Sequence, residues 1–228
     1  MNNEKIMFLA RIWVRYFLFD LDGTLTDSGL GIMNSVRYAL NSMGVDVPGL
    51  DELRKFIGPP LRRMFMDYCG FDAEKAEECV SKYREYYAYT GIYENVLYPG
   101  VKEMLEALAD KGKEIILATS KAAFFAKKIL EHFGIARYFS FISGAELNGE
   151  RSGKAELIRY AIENVPGMTA AQSVMIGDRK HDIQGAKTIG LKSVGVLYGY
   201  GSDDELTAAG ADCMVESVSK LKEVLLRM

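Results

Sequence analysis

A chain of 228 residues is long enough for a single α/β domain, or for a core that carries a smaller inserted unit. Its 28 Lys and Arg stand against 31 Asp and Glu, a net charge of −3, so the balance argues against a nucleic-acid polymer as partner, and no acidic tract marks a disordered tail. Cys69, Cys79 and Cys213 are odd in number and form no C-x-x-C pair, which argues against a structural zinc site and fits reduced thiols in a cytoplasmic protein.

The N-terminal stretch MNNEKIMFLARIWVRYFLFD is apolar, but Arg11 and Arg15 interrupt it and no small-residue cleavage site follows. It reads as a leader running into a first buried strand, Tyr16 to Phe19. From about Ser28 to Asn95 the pattern is helical without a convincing strand: Ile32 to Met43, Leu50 to Phe56, Pro60 to Cys69 and Ala73 to Thr90, broken at Gly44, Pro48-Gly49, Gly58-Pro59-Pro60 and Gly70. After Tyr98-Pro99-Gly100, apolar residues Val101, Met104, Leu105 and Leu108 recur at helical spacing. Short apolar runs at Ile115 to Ala118, Val174 to Ile176 and Val194 to Leu197 read as further buried strands, and Val218, Leu221 and Leu225 mark a last helix. Strands alternating with helices predict a Rossmann-like, doubly wound parallel sheet with an inserted all-helical domain. The expected division is 1–27 with 95–228 for the core and 28–94 for the insertion. No apolar run is long enough to cross a bilayer, so no membrane partner is expected.

In an open parallel sheet, ligands bind at the carboxyl ends of the strands. The residues there are Asp20 and Asp22, then Thr119, Ser120 and Lys121, then Gly177, Asp178 and Asp182. Residues i and i+2 of an extended chain point the same way, so Asp20 and Asp22 face one space, where they repel unless a proton or cation intervenes. With Asp178 they make a set of hard oxygen ligands suited to Mg²⁺ rather than zinc. A strand ending in an Asx-type turn explains Asp20-Leu21-Asp22-Gly23-Thr24 equally well. A calcium loop does not, because the position that needs a bidentate Glu falls on Gly31.

FDLDGTLTDS, ATSK, Lys154 within RSGKAELI, and MIGDRKHD occur in that order, and with them the chain resembles the haloacid dehalogenase-like superfamily of phosphohydrolases. Within it the resemblance is to the branch with a helical cap that includes phosphoglycolate phosphatases and 5′-nucleotidases. The resemblance implies an inserted cap over the rim and Asp20 as a nucleophile that forms an aspartyl-phosphate. It implies Asp22 as the acid that protonates the leaving oxygen and then the base that activates water, which requires the environments of the two carboxyls to differ. Mg²⁺ would be held by Asp20, the carbonyl of Asp22, and Asp178. Thr119, Ser120 and Lys154 would hold the phosphate, and Asp182 would support Lys154 or a metal-bound water.

The expected substrate is a small phosphate monoester, 2-phosphoglycolate first and nucleoside 5′-monophosphates second. A sugar phosphomutase would use the same residues, and a non-catalytic phosphate-binding relative should have lost one of them. Other residues read more simply. His132 ends a helix, and His181 faces solvent near the rim. Tyr83, Tyr86, Tyr87 and Tyr89 pack helices, and Gly199-Tyr200-Gly201 makes a tight loop that could shape the leaving-group site. Arg62 either meets a second anionic group or is surface charge.

Overall fold

The computed structural model describes residues 14–228 apart from Pro48 and Gly149; the leader before Val14 lies outside the described residues. The chain divides into two compact units, Asp27–Val96 and the remainder. Strand β1 (Tyr16–Phe19) opens the remainder, and the two-residue strand β2 (Thr26–Asp27) follows. The unit Asp27–Val96 holds helices α1 (Gly29–Ser42), α2 (Leu61–Cys69) and α3 (Ala73–Tyr86). Leu50–Phe56 is a 3₁₀ segment, and a π-turn at Tyr87–Gly91 ends the helical run that the spacing carries from Ala73 to Thr90. Asp72 caps α3 by accepting the Lys75 N–H at 2.8 Å. Tyr83 stacks on Tyr87 at 5.2 Å and Tyr38 tilts against Tyr86 at 5.6 Å, so three of the four clustered tyrosines pack within this unit, while Tyr89 is exposed. Arg62 pairs with Glu77 across the exposed faces of α2 and α3.

The chain continues through β3 (Val96–Leu97), which pairs with β2, and then α4 (Val101–Asp110), β4 (Glu114–Ala122), α5 (Ala123–His132) and β5 (Phe139–Ala145). It ends with α6 (Lys154–Asn164), β6 (Ser173–Gly177), α7 (Lys180–Ile189), β7 (Lys192–Val196), α8 (Asp203–Ala209), β8 (Cys213–Val215) and α9 (Val218–Leu225). Six strands make one sheet in the order β5-β4-β1-β6-β7-β8, and its pairings are parallel. Tyr16, Leu18, Ile116, Ala118 and Met175 bury one face of that sheet against Ile158, Ala161 and Ala186 of α6 and α7. By the alternation of a strand, Phe17, Phe19, Ile115, Leu117, Val174 and Ile176 turn to the other face, and all are buried. Burial on both faces is why these strands read as continuous apolar runs.

β4 runs past the expected end at Ala118, through Thr119, Ser120 and Lys121, and the helix after it starts at Ala123. Strands β5 and β8 join the sheet without having been marked by an uninterrupted apolar run.

Candidate active site

β1 and β6 are neighbours, yet the strands that follow them leave in opposite directions: β4 and β5 lie to one side, β7 and β8 to the other. Parallel sheets open a crevice at the carboxyl end of such a reversal. Asp20 directly follows β1 and Asp178 directly follows β6, so the sheet order alone delivers both carboxylates to this crevice.

The segment after Asp20 is a tight loop. The N–H groups of Leu25 and Thr26 donate to the Leu21 carbonyl at 2.9 and 3.0 Å, and the fully buried Leu21 anchors the loop to the core. Gly23 has a φ of +80°, and a Cβ there would stand 2.2 Å from Asp178 Oδ2. The turn reading and the functional reading therefore describe one object, a turn that brings backbone against a carboxylate.

Asp178 is enclosed by glycine. A Cβ on Gly199 would lie 2.4 Å from its Cβ, one on Gly201 would lie 1.9 Å from its carbonyl oxygen, and the Tyr200 N–H donates to Oδ2 at 2.7 Å. The G-Y-G after β7, read from sequence as a loop near a leaving group, thus packs around Asp178. Its signal was two glycines flanking one residue at a strand's ligand end.

Lys154 is the first residue of α6, and its ammonium is buried. Nζ lies 2.7 Å from Asp20 Oδ1 and 2.7 Å from Asp182 Oδ1, and donates to the Ala118 carbonyl at 2.8 Å. Asp182, in the first turn of α7, accepts the Arg179 N–H with Oδ2 at 3.0 Å. A helix N-terminus repels a cation. Lys154 is held there by two carboxylates and a carbonyl.

Asp22 lies apart from that cluster, with Oδ2 2.9 Å from Lys121 Nζ at the end of β4. Thr119 is buried beside it in sequence, its Oγ1 accepting the Lys121 N–H at 3.3 Å. Ser120 Oγ donates to the Ser152 carbonyl at 2.8 Å, in the loop that leads into α6. The structure therefore joins Asp20, Lys154 and Asp182 directly, and pairs Asp22 with a lysine that sequence reasoning placed at the rim without a role. His181 is exposed, and its pKa is lowered by partial desolvation and by the nearby Arg179 and Lys180. His132 closes α5 with its ring against Phe133.

Burial pushes the Asp20 carboxyl up to about 6; Lys154 opposes this, while Asp182 and Asp22 reinforce it. Asp178 is raised well above the usual carboxylate range by burial, then by Asp182 and Asp20, against the pull of the Tyr200 N–H. Burial works against the Lys154 ammonium, but Asp182 and Asp20 outweigh it and hold its pKa above the ordinary value. One buried cation thus faces three carboxylates, whose oxygens from Asp20, Asp178 and Asp182 lie within 4.8 Å of one another. An all-oxygen, acidic donor set with surplus negative charge fits a hard divalent cation.

The family described as haloacid dehalogenase-like hydrolase matches residues 17–196. The chain belongs to that family. A 5′-nucleotidase of Pseudomonas aeruginosa is 47% identical over 208 residues, covering 91% of this chain and 94% of its own. A phosphoglycolate phosphatase of Vibrio parahaemolyticus is 31% identical over 220 residues, covering 93% of this haloacid dehalogenase-like chain and 96% of its own. The tyrosine-protein kinase PtkA of Mycobacterium tuberculosis is 38% identical over 210 residues, covering 91% of this chain and 71% of its own. Among solved structures, a "predicted phosphatase" from Clostridium acetobutylicum superposes with a TM-score of 0.91 at 45% identity, over 95% of this chain and all (100%) of that one.

Proposed function

We propose that this haloacid dehalogenase-like phosphatase hydrolyses a small phosphate monoester in a Mg²⁺-dependent, two-step reaction through an aspartyl-phosphate on Asp20. A nucleoside 5′-monophosphate is placed ahead of 2-phosphoglycolate, because the relative named for the first is 47% identical and the one named for the second 31%. The observation that carries the reading is the buried Lys154 ammonium bridging Asp20 and Asp182 beside Asp178, at the point where the sheet reverses.

In the first step an Asp20 carboxylate oxygen forms a bond to phosphorus while the bond to the leaving oxygen breaks. Asp22 gives its proton to that oxygen, which departs as an alcohol. In the second step the Asp22 carboxylate takes a proton from water as the water oxygen attacks phosphorus; phosphate leaves, and both aspartates are restored. Lys154 stands against Asp20 where negative charge develops, and Thr119 with the Ser120 amide supplies donors for the phosphate oxygens. Asp20, Asp178 and the Asp22 carbonyl, with Asp182 beside them, would hold Mg²⁺, which supplies charge neutralisation to carboxylates and phosphate alike. Residues 28–94 serve as the cap that selects the leaving group.

Phosphate release in Mg²⁺ is the test, screened over nucleoside 5′-monophosphates, 2-phosphoglycolate, sugar phosphates, pyrophosphate and phosphotyrosine. Release that stops in excess EDTA and in Asp20→Asn is expected. Wild-type rates in Asp20→Asn would overturn the nucleophile assignment, and undiminished rates in EDTA the metal. Phosphoryl return to a sugar phosphate, with no free phosphate, would make the protein a mutase instead.

A further inference from the structure

We propose that Lys121 is a positioning residue that holds the Asp22 carboxyl group in place for proton transfer to the leaving oxygen. The inference rests on the role given to Asp22 above. Three observations carry it. The Lys121 and Asp22 side chains are 8% and 13% exposed, and Nζ stands 2.9 Å from Oδ2, a nearly dry ion pair when Asp22 is ionised and, when it is protonated, a hydrogen bond to Oδ2 that leaves the acid proton on Oδ1. Such pairs are seldom a net source of stability, since desolvation of both charges offsets their attraction, so stability alone is a weak account of this one.

The second observation is the strand that delivers Lys121. Along β4 and β5 the register pairs Thr119 with Gly144 and then Ala122 with Ala145. That is three steps on β4 against one on β5, so Ser120 and Lys121 are two extra residues in the ladder. Bulges of this kind re-aim side chains beside active sites.

The third is that the surroundings are shaped to keep the bulge. A Cβ on Gly144 would stand 2.7 Å from the Ala123 Cα, and Ser120 ties the bulge to the Ser152 carbonyl at 2.8 Å. One of the two extra residues anchors the loop that precedes Lys154, and the other reaches Asp22. Lys121 gives no proton itself. In the first step the proton moves from Asp22 to the leaving oxygen as the P–O bond breaks and that oxygen keeps the bond electrons.

The dependence of kcat/KM on the leaving group tests this, because kcat/KM reports phosphoenzyme formation and poor leaving groups need the proton most. Wild type, Lys121→Met, Lys121→Gln, Lys121→Arg and Asp22→Asn are compared on p-nitrophenyl, phenyl and alkyl phosphates. Lys121→Met and Lys121→Gln should lose about 100-fold on the alkyl ester and less than about 5-fold on the p-nitrophenyl ester, in parallel with Asp22→Asn. Lys121→Arg should recover part of the alkyl activity.

A uniform loss across the series in both neutral variants, or a rise in KM alone, would overturn the inference and leave Lys121 as a structural or phosphate-binding group. If Asp22→Asn shows the graded loss and the lysine variants do not, the inference fails while the role of Asp22 stands. If Asp22→Asn itself shows a uniform loss, both fail together.

Discussion

Asp20 carries the tension of this site in a single group. Its carboxyl is raised from 3.8 to about 6 because burial penalises the charge, so between those values the folded chain binds more protons than the unfolded one. The stability it contributes is fully present below the unfolded pKa and is lost as pH rises through about 6, a loss of ~3 kcal/mol. Asp178 is shifted in the same direction and adds to the trend. Metal-free protein should therefore be less stable to urea at pH 7.5 than at pH 5, and Asp20→Asn should remove roughly 1 kcal/mol of that difference, the rest of the span lying below pH 5. An equal pH dependence in wild type and variant would show that burial does not act on Asp20. Asp20 and Asp178 were legible in the sequence because each directly follows an apolar run. The partners of Asp22 and Asp178 were not. Lys121 reaches Asp22 through a strand irregularity, and Tyr200 reaches Asp178 through a backbone N–H, which no side-chain pattern records.

Strands β1, β4 and β6 announce themselves because both faces are buried, and no polar residue interrupts them before the ligand end. β5 lies at the sheet edge, where Ser140 and Ser143 break its apolar run, and β8 is only three residues long at the other edge. Sequence periodicity weakens where burial does. The same reasoning explains why β4 was cut short at Ala118: the bulge at Ser120 and Lys121 reads as the start of a polar helix turn. Gly144 offers a test of how tightly that bulge is packed. Gly144→Ala would place its Cβ 2.7 Å from the Ala123 Cα and 2.8 Å from the Ala123 N, where only backbone movement can relieve the overlap. Gly134→Ala has no atom within 4 Å of its Cβ, and only a φ of +65° to strain it. Thermal unfolding should show a cost of about 1 kcal/mol for Gly134→Ala with activity retained. Gly144→Ala should cost about 1–3 kcal/mol and lower kcat/KM on alkyl esters as Lys121→Met does. Full activity in Gly144→Ala would mean that the bulge yields freely.

At the scale of the whole chain, the site is assembled from residues more than a hundred positions apart, and only the strand order brings them together. The sequence supplied the motifs in order, yet it could not show that β1 sits between β4 and β6, which is what sets Asp20 against both Lys154 and Asp178. Three clustered carboxylates against one buried ammonium leave the folded state with charge that a divalent cation would relieve, whereas the unfolded chain has no such cluster. Folding and metal binding are then linked by mass action. Mg²⁺ at about 100 times its Kd should add ~2.7 kcal/mol, which for a chain of 228 residues raises the midpoint of thermal unfolding by roughly 5–10 °C at pH 7.5. Asp178→Asn should abolish that rise, since it removes both a ligand and a share of the repulsion. Asp67→Asn, which removes an exposed i,i+4 pair with Arg63, should leave it intact. A midpoint in wild type that is indifferent to Mg²⁺, or a full shift in Asp178→Asn, would separate the acidic cluster from any cation and return its surplus charge to Lys154 and the proton alone.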